Sequence, residues 1–319
     1  MAVTLNDVKM NTQDALSQQV IDEFCKSSFL MDNLIFDDVV SPSGGGAAMT
    51  YAYTRVLQDA QAAARALNSE YEADEAKKER HTVDLKVLGS AFEIDRVLAA
   101  TGGIVDEVQF QLQQKIKAVQ ALFSDMVING DTEENANAFE GLDKALADSA
   151  TEMDCGGIDL STSALVTANY MQFLDAIEDM LSQMDGAPTC LLGNTKMMTK
   201  LRACARRAAM YQTTKDDWGQ TIEYYGSIPL VDLGAKAGSE EPIIGTDAGG
   251  LTSLYAVRIG LDGFHGVSMN GQSPIKSYLP DFNTAGVVKR GEVEMVAAVA
   301  LKNSKAAAVM RGVKVQSGG

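Results

Sequence analysis

The region from residue 49 to residue 95 constrains the fold most strongly, because it predicts two long strands that have no core of their own. Met49–Val56 is rich in Tyr and Thr, which is typical of a strand. Thr82–Leu88 alternates between apolar and polar residues and predicts a second strand, and Phe92 and Ile94 continue the alternation. The residues of its apolar face are Val83, Leu85 and Val87. This pattern predicts a long hairpin.

The segment between the two strands, Gln58–Arg80, is polar, and its few larger apolar residues are Leu67 and Tyr71. A two-stranded hairpin alone is marginally stable in water, and half-apolar strands without cover tend to aggregate. Loops of this length are usually functional or disordered. Two interpretations therefore fit these residues: a neighbouring subunit covers the hairpin, or the segment is a flexible surface insertion.

Ile104–Ile128 predicts the longest helix of the chain. Its apolar residues recur at the three- and four-residue spacing of one buried helical face. They are Val105, Val108, Leu112, Ile116, Val119, Phe123 and Met126. Asp106 and Glu107 suit the first turn, and Asn129-Gly130 is a good C-terminal stop. A helix of this length measures roughly 35–40 Å, which suits a flat or elongated subunit.

The second half of the chain mixes helices and strands. Thr167–Met184 predicts an amphipathic helix, and Asn194 is placed to cap another helix that runs to about Ala209. The predicted strands are Thr189–Leu192, Tyr224–Asp232, Leu251–Ile259, Glu292–Leu301 and Ala306–Val315. Because these elements interleave without a regular βαβ rhythm, the predicted fold class is α+β.

The N-terminal segment predicts a short helix on an arm. Leu16, Val20 and Phe24 form one narrow apolar stripe. A short helix with one such stripe is not stable alone, so we expect it to dock on another surface. The Gly-rich run Ser41–Gly46 then predicts a flexible joint.

The charge and the cysteines exclude several classes of protein. The net charge of −16 argues against a dedicated nucleic-acid binder and against docking on an anionic membrane. The four cysteines are scattered and only two histidines are present, so we predict no zinc site and no other cofactor. The longest clean apolar run, Met295–Leu301, is too short to span a bilayer.

No catalytic signature is evident in the sequence. The run Gly44-Gly45-Gly46 lacks the spacing of a phosphate-binding loop. The acidic pairs, such as Asp216-Asp217, are adjacent in sequence, so their side chains diverge. We therefore predict that the chain is not an enzyme and name no catalytic, cofactor-binding or metal-binding residue. An acidic α+β enzyme, with carboxylates brought together from distant segments, remains an alternative.

Three further features need interpretation. A basic cluster on the third helix forms a salt-bridged contact with an acidic neighbouring subunit, forms a weak DNA-facing patch, or simply suits the C-terminal end of the helix dipole. Its residues are Lys196, Lys200, Arg202, Arg206 and Arg207. Trp218 is either an interface anchor or a residue packed on its own domain. His265, between glycines, is expected to make a local hydrogen bond rather than a functional contact.

The order of these elements resembles the HK97-like fold of tailed-phage major capsid proteins. Several short stretches carry the resemblance, and no single one of them is specific. They are Arg65–Tyr71, Val83–Gly89 running into Phe92–Arg96, Ile128–Asp131 followed by Phe139–Leu142, Ile222–Leu230, Leu254–Arg258 and Val293–Leu301. Together they span nearly the whole chain.

The resemblance implies a division of the chain into five parts. These are an N-terminal arm (1–48), an extended loop or hairpin (49–97), a peripheral domain (98–160) with a spine helix at 104–128, an axial domain (161–262), and C-terminal strands that complete both domains (263–319). In this family the extended loop lies over an adjacent subunit. The implied candidates for inter-subunit contact are Arg65, Tyr71, Lys77, Lys78, Val83, Leu85 and Val87.

The resemblance also implies a function, namely a self-assembling subunit of an icosahedral or prolate phage head. The implied partners are copies of the chain in hexamers and pentamers, together with scaffolding, portal and decoration proteins. Packaged double-stranded DNA would be contacted only non-specifically, and no membrane is involved. The implied location is the virion, after assembly in the host cytoplasm. An encapsulin-like compartment shares the fold and is the first alternative.

Overall fold

The computed structural model describes residues 29–39, 48–58, 60, 62–71, 75–101, 106–209, 211–215, 221–269 and 274–317. The predicted N-terminal helix around Val20, the Gly-rich joint and Trp218 lie outside these ranges. The described helices are α1 (Phe29–Asn33), α2 (Arg96–Ala99), α3 (Glu107–Asn129), α4 (Leu142–Leu146), α5 (Ser163–Ser182) and α6 (Thr195–Arg207), with a 3-10 turn at Ser304–Ala306.

The described strands form two larger sheets and one hairpin. They are β1 (Phe36–Asp38), β2 (Thr50–Gln58), β3 (Lys77–Asp84), β4 (Lys86–Asp95), β5 (Glu152–Asp154), β6 (Cys190–Gly193), β7 (Tyr211–Lys215), β8 (Thr221–Tyr225), β9 (Ile228–Asp232), β10 (Leu251–Val257), β11 (Phe264–Ser268), β12 (Ile275–Tyr278), β13 (Val288–Leu301) and β14 (Ala307–Lys314). Helices and strands interleave throughout, so the predicted α+β class is confirmed.

The first sheet is organised around β13, the longest strand. β4 pairs with it along its first ten residues, and β11 and β12 also pair with it, all antiparallel. β1 adds to β11 in parallel, where Phe36 lies opposite Gly266. The buried side chains Val293, Met295 and Val299 project from β13 into the main hydrophobic core.

The long helix α3 covers this sheet. Asp106 caps it by accepting hydrogen bonds from the amides of Val108 and Gln109, so the described helix begins at Glu107. Its last half is buried, with Val119, Phe123, Val127 and Ile128 in the core. The predicted apolar residues of the first half, such as Leu112 and Ile116, are only partly buried. One face is therefore fully covered only near the C-terminal end.

The second sheet has the strand order β5-β14-β10-β6-β9-β8-β7. It is covered on both faces. Leu254 and Met310 point into a core shared with α5 and α6, whereas Tyr255 and Val309 point into the main core with α3. Alternate residues of β10 and β14 thus serve two cores, which explains their nearly continuous apolar sequence.

The helix caps in this half follow the sequence closely. Asn194 accepts a 2.8 Å hydrogen bond from the amide of Met197, as predicted for a helix cap. Thr162 caps α5, which therefore begins four residues before the predicted Thr167. The predicted strand Tyr224–Asp232 is two strands, because Gly226 adopts a φ of 59° in a tight turn.

Candidate functional site

The hairpin β2–β3 is the candidate site, because it leaves the body of the subunit. Its pairing runs from Thr50 opposite Asp84 to Gln58 opposite Lys77. The polar excursion is therefore shorter than predicted, since Lys77–Arg80 belongs to β3. Side chains alternate between half-buried and exposed at the base of the hairpin and are exposed at its far end.

The base of the hairpin docks on its own subunit through the inward-facing side of β2. The hydroxyl of Tyr51 donates a 2.7 Å hydrogen bond to Oδ2 of Asp37. The hydroxyl of Tyr53 donates to the carbonyl oxygen of Leu301 at 3.0 Å. Arg55 donates to the carbonyl oxygens of Leu301 and Lys302 at 2.6 and 3.0 Å. Sequence reasoning missed these contacts, although the alternating Tyr51, Tyr53 and Arg55 signal one face of a strand.

His265 lies under this docked base and is completely buried. The ring of Tyr51 packs edge-on against its imidazole, with the ring centroids 5.8 Å apart. Neither ring nitrogen makes a well-formed hydrogen bond among the described residues, although the backbone of nearby Gly263 interacts with the ring and favours its protonated form. Burial, reinforced by the positive charge of Lys302, lowers the pKa of His265 to about 4.

The far end of the hairpin is an ordered turn that exposes large side chains. The guanidinium of Arg65 lies over the ring of Tyr71 at 5.2 Å and donates to the carbonyl oxygens of Ala66 and Ser69. Asn68 takes a left-handed conformation, with a φ of 67°. Leu67 is 93% exposed and Tyr71 is 66% exposed. We call residues 65–71 the hairpin tip.

The predicted contact residues occupy different environments. Arg65, Tyr71, Lys77 and Lys78 are exposed along the outer hairpin. Val83 is half-buried under the hairpin base. The structure places Leu85 inside its own subunit, 3% exposed, in a cluster with Val39, Val267 and Ala300.

Val87 does not share the face of Leu85, so that part of the alternation prediction is wrong. The predicted strand Thr82–Leu88 is divided, because β3 ends at Asp84 and β4 begins at Lys86. The backbone changes partners at this point, from β2 to β13. Leu88 consequently turns into the core at 3% exposure, and Val87 faces outward at 55%.

A second exposed surface lies at the opposite end of β4 and β13. The amide of Arg96 donates to the carbonyl oxygen of Val287 at 2.9 Å and holds this end together. Large apolar side chains are exposed around it, and we call them the apolar end. They are Val97, Leu279, Phe282, Val287 and Val288.

A cavity of about 560 Å³ lies between the hairpin base and the body. Several of its charged lining residues form bonds within the subunit. Lys86 donates to the carbonyl oxygen of Ala136 at 2.9 Å, and Asp84 accepts from Thr50 at 2.7 Å. Burial raises the pKa of Tyr53, which also lines the cavity, so its hydroxyl is a poor base or nucleophile. These bonds hold the walls of the cavity in place.

The basic cluster on α6 is mostly engaged within the subunit. Arg202 pairs with Glu223, and Lys200 donates to the carbonyl oxygen of Ser161 at 2.8 Å. Arg207 donates to Oγ of Ser163 at 3.1 Å. These bonds tie α6 to neighbouring segments of its own subunit.

Across the described ranges, no group of three or more His, Cys, Asp or Glu side chains is placed to hold a metal ion. Within the same ranges, every helix is too short or too polar to cross a membrane.

Comparison with solved structures shows which fold this is. An encapsulin complex from Synechococcus elongatus PCC 7942 superimposes with a TM-score of 0.64 at 14% identity, over 99% of this chain and 97% of that chain. The capsid of a native GTA particle gives a TM-score of 0.63 at 12% identity, over 95% of each chain. The capsid of Myoviridae phage XM1 gives 0.57 at 10% identity, over 98% and 99%.

The chain has an HK97-like capsid fold. The match extends over both sheets and the hairpin, as the ordered set of sequence stretches predicted. No protein-family model and no curated protein matches the sequence.

Proposed function

We propose that this chain is a major capsid protein, a structural subunit that assembles with copies of itself into the head of a tailed phage. The hairpin tip is the observation that carries the proposal. It presents Leu67 and Tyr71 on a turn ordered by Arg65, far from any core of its own subunit. Exposed apolar groups on an ordered surface are typical of an interaction site.

The apolar end supports the same conclusion from a separate part of the molecule. A closed shell needs each subunit to contact several neighbours, so it requires more than one adhesive surface. The hairpin tip lies beyond β2 and β3, whereas the apolar end lies where Asp95 of β4 pairs with Val288 of β13. Two such surfaces in separate parts of one subunit suit an extended array better than a simple dimer.

The structure changes the set of residues that we propose for contact. Arg65, Tyr71, Lys77 and Lys78 stay in the set, because they are exposed on the outer hairpin. Val87 also stays, since it faces outward, and Leu67 is added. Leu85 leaves the set because its own subunit covers it, and Val83 is at most a marginal member.

The proposal includes finer points that rest on the fold of capsid relatives. The subunits would form hexamers and pentamers around double-stranded DNA in the virion, with portal, scaffolding and decoration proteins as further partners. Residues 98–160 and 161–262 would form the peripheral and axial domains, each completed by strands from 263–319. The role is structural, with no catalytic residue assigned.

The decisive experiment shortens the hairpin without disturbing its base. Because Gln58 pairs with Lys77, residues 59–76 can be replaced by Asn-Gly, a favoured two-residue hairpin turn. We expect this variant to keep the wild-type circular dichroism spectrum and melting temperature while electron microscopy shows few or no shells. Normal shells from the shortened chain would contradict the proposal.

A point variant separates the tip contact from the length of the hairpin. Leu67→Ser with Tyr71→Ser removes the exposed apolar groups, and Leu67→Met is the matched control that retains them. We expect the double variant to raise the protein concentration required for assembly at least tenfold, and the control to assemble normally. Equal assembly by both would remove the tip from the proposed interface.

An encapsulin-like compartment is the second candidate, because an encapsulin superimposes over 99% of the chain. The two candidates differ in what the particles enclose. Particles purified from an infected or induced host would contain double-stranded DNA in the first case and a packaged protein in the second. Nuclease protection and mass spectrometry of the contents distinguish them.

A further inference from the structure

The contact between His265 and Tyr51 joins the hairpin to the sheet beneath it. His265 lies on β11, two residues before the buried Val267, and Tyr51 lies on β2. The two rings therefore meet where the hairpin base packs on the sheet. His265 is 0% exposed, and neither ring nitrogen makes a well-formed hydrogen bond to a described residue, although the backbone of nearby Gly263 favours the protonated ring. A buried imidazole without a well-formed hydrogen bond loses its hydration and gains little polar compensation in return.

We propose that His265 makes the attachment of the hairpin base sensitive to acid, so that protonation favours release of β2 and β3 from the sheet. Only the undocked hairpin opens this imidazole to water, where both nitrogens can be hydrated and a proton can be accepted. Proton binding and undocking are therefore linked, and each favours the other. This is a property of the single subunit and does not depend on the proposed capsid role.

The charged groups around His265 agree with this assignment. Lys302 lies after β13 with its Nζ 5.3 Å from the ring centroid of Tyr51, and its positive charge opposes a second cation on His265. Asp37 on β1 and Asp262 before β11 act in the opposite direction. Asp37 is already engaged by the Tyr51 hydroxyl at 2.7 Å and by Lys302 at 3.8 Å. Neither carboxylate is bonded to the imidazole.

The direction of the effect follows from the two states. In the docked state the pKa of His265 is lowered to about 4, whereas an exposed histidine has a pKa of about 6.5. Above about pH 6.5 both states hold a neutral ring, and docking is unaffected by pH. Between about pH 6.5 and 4 the undocked state binds the extra proton, so its population rises about tenfold for each pH unit lost.

Hydrogen exchange on the full-length chain tests this. The exchange rates of the backbone amides of Tyr51–Arg55 and of β13 are measured between about pH 7 and pH 4.5. Each rate is divided by the intrinsic exchange rate of that amide at the same pH. We expect opening of the β2 amides to increase about tenfold per pH unit below about 6.5, while β13 stays protected. A flat β2 profile, or parallel opening of β13, would overturn the proposal.

Two variants assign the effect to His265. His265→Leu places an apolar side chain at this buried position and cannot be protonated, so we expect its β2 profile to be flat and the hairpin base to be more firmly docked. His81→Gln, which alters the histidine that stacks on Tyr53 at 5.6 Å, should retain the wild-type slope. A sloping profile in the Leu variant would contradict the assignment.

A third variant covers the case in which His265→Leu does not fold. Tyr51→Phe removes the bond to Asp37 but leaves the ring over the imidazole. We expect more opening at every pH with an unchanged slope. Loss of the slope in this variant would assign the pH response to Asp37 and Tyr51 and would reject His265.

Discussion

The amide of Gly141 donates a 2.8 Å hydrogen bond to the carbonyl oxygen of Gly130. This bond closes the loop that follows α3 and sets the ring of Phe139 5.8 Å from that of Phe123 in the core. The backbones approach so closely that a Cβ at Gly130 would lie 2.2 Å from the carbonyl oxygen of Phe139. Glycine is required at this crossing for space rather than for an unusual φ.

Substituting either crossing glycine should therefore be costly. A Cβ at Gly141 would lie 2.6 Å from the carbonyl oxygen of Ile128, so backbone must move to admit it. We expect Gly130→Ala and Gly141→Ala each to lower the free energy of unfolding by about 2 kcal/mol or more. Urea titration measures this. Gly245→Ala, where nothing lies within 4 Å of the new Cβ, is the control and should change it by less than about 0.5 kcal/mol.

Arg311 should be a significant stabilising cation. It pairs with Asp143 and Glu152, and the Tyr255 hydroxyl donates to the same Asp143 at 2.7 Å. Because the site is partly buried, we expect Arg311→Met to cost about 2 kcal/mol in unfolding free energy. Arg290→Met, which removes an exposed pair with Glu292, should cost less than about 0.5 kcal/mol. Thermal and urea unfolding measure the stability of both variants, and equal losses in the two variants would contradict this prediction.

The buried cysteines should resist alkylation. Burial raises the pKa of the Cys190 thiol to about 12 and that of Cys204 to about 11, so the reactive thiolate is scarce at neutral pH and increases only as the pH rises. We expect iodoacetamide at about pH 8 to leave both unmodified in the folded protein, as read by peptide mass spectrometry. Rapid labelling without denaturant would contradict this environment.

The division between β3 and β4 predicts losses of stability of very different size at two neighbouring apolar residues. Leu85→Ala should lower the free energy of unfolding by about 3 kcal/mol, because it opens a hole in a buried cluster. Val87→Ala should lower it by less than about 0.5 kcal/mol, since Val87 is 55% exposed. Denaturant unfolding of both variants measures these losses. If the two losses in unfolding free energy were similar, the register of β4 would be in error.

This pair of residues also shows how far sequence reasoning reaches. The hairpin, the long helix and the Asn194 cap follow from local patterns, and the structure has all three. The opposite orientations of Leu85 and Val87 do not, because they arise when the chain leaves β2 and pairs with β13, some 200 residues later. Periodicity describes one strand at a time, and a change of partner is invisible to it.

At the candidate site, too, local sequence predicts some features, and the others depend on tertiary contacts. The exposed hairpin tip is predictable from the polar composition of residues 58–80, since such a segment cannot bury itself. The docking of Tyr51 on Asp37, and of Arg55 on the carbonyl oxygens of Leu301 and Lys302, depends on tertiary pairing across the chain. The complete burial of His265 could not be predicted for the same reason, because its cover comes from a distant strand.

The single residue between β3 and β4 has a mechanical consequence. Only Leu85 separates the strand that reaches the hairpin tip from the strand that runs against β13. A pull on the tip is therefore transmitted along one continuous backbone to β4, whose antiparallel ladder with β13 is loaded in shear. A molecule bound at the tip thus applies its force to the longest strand pairing of the first sheet.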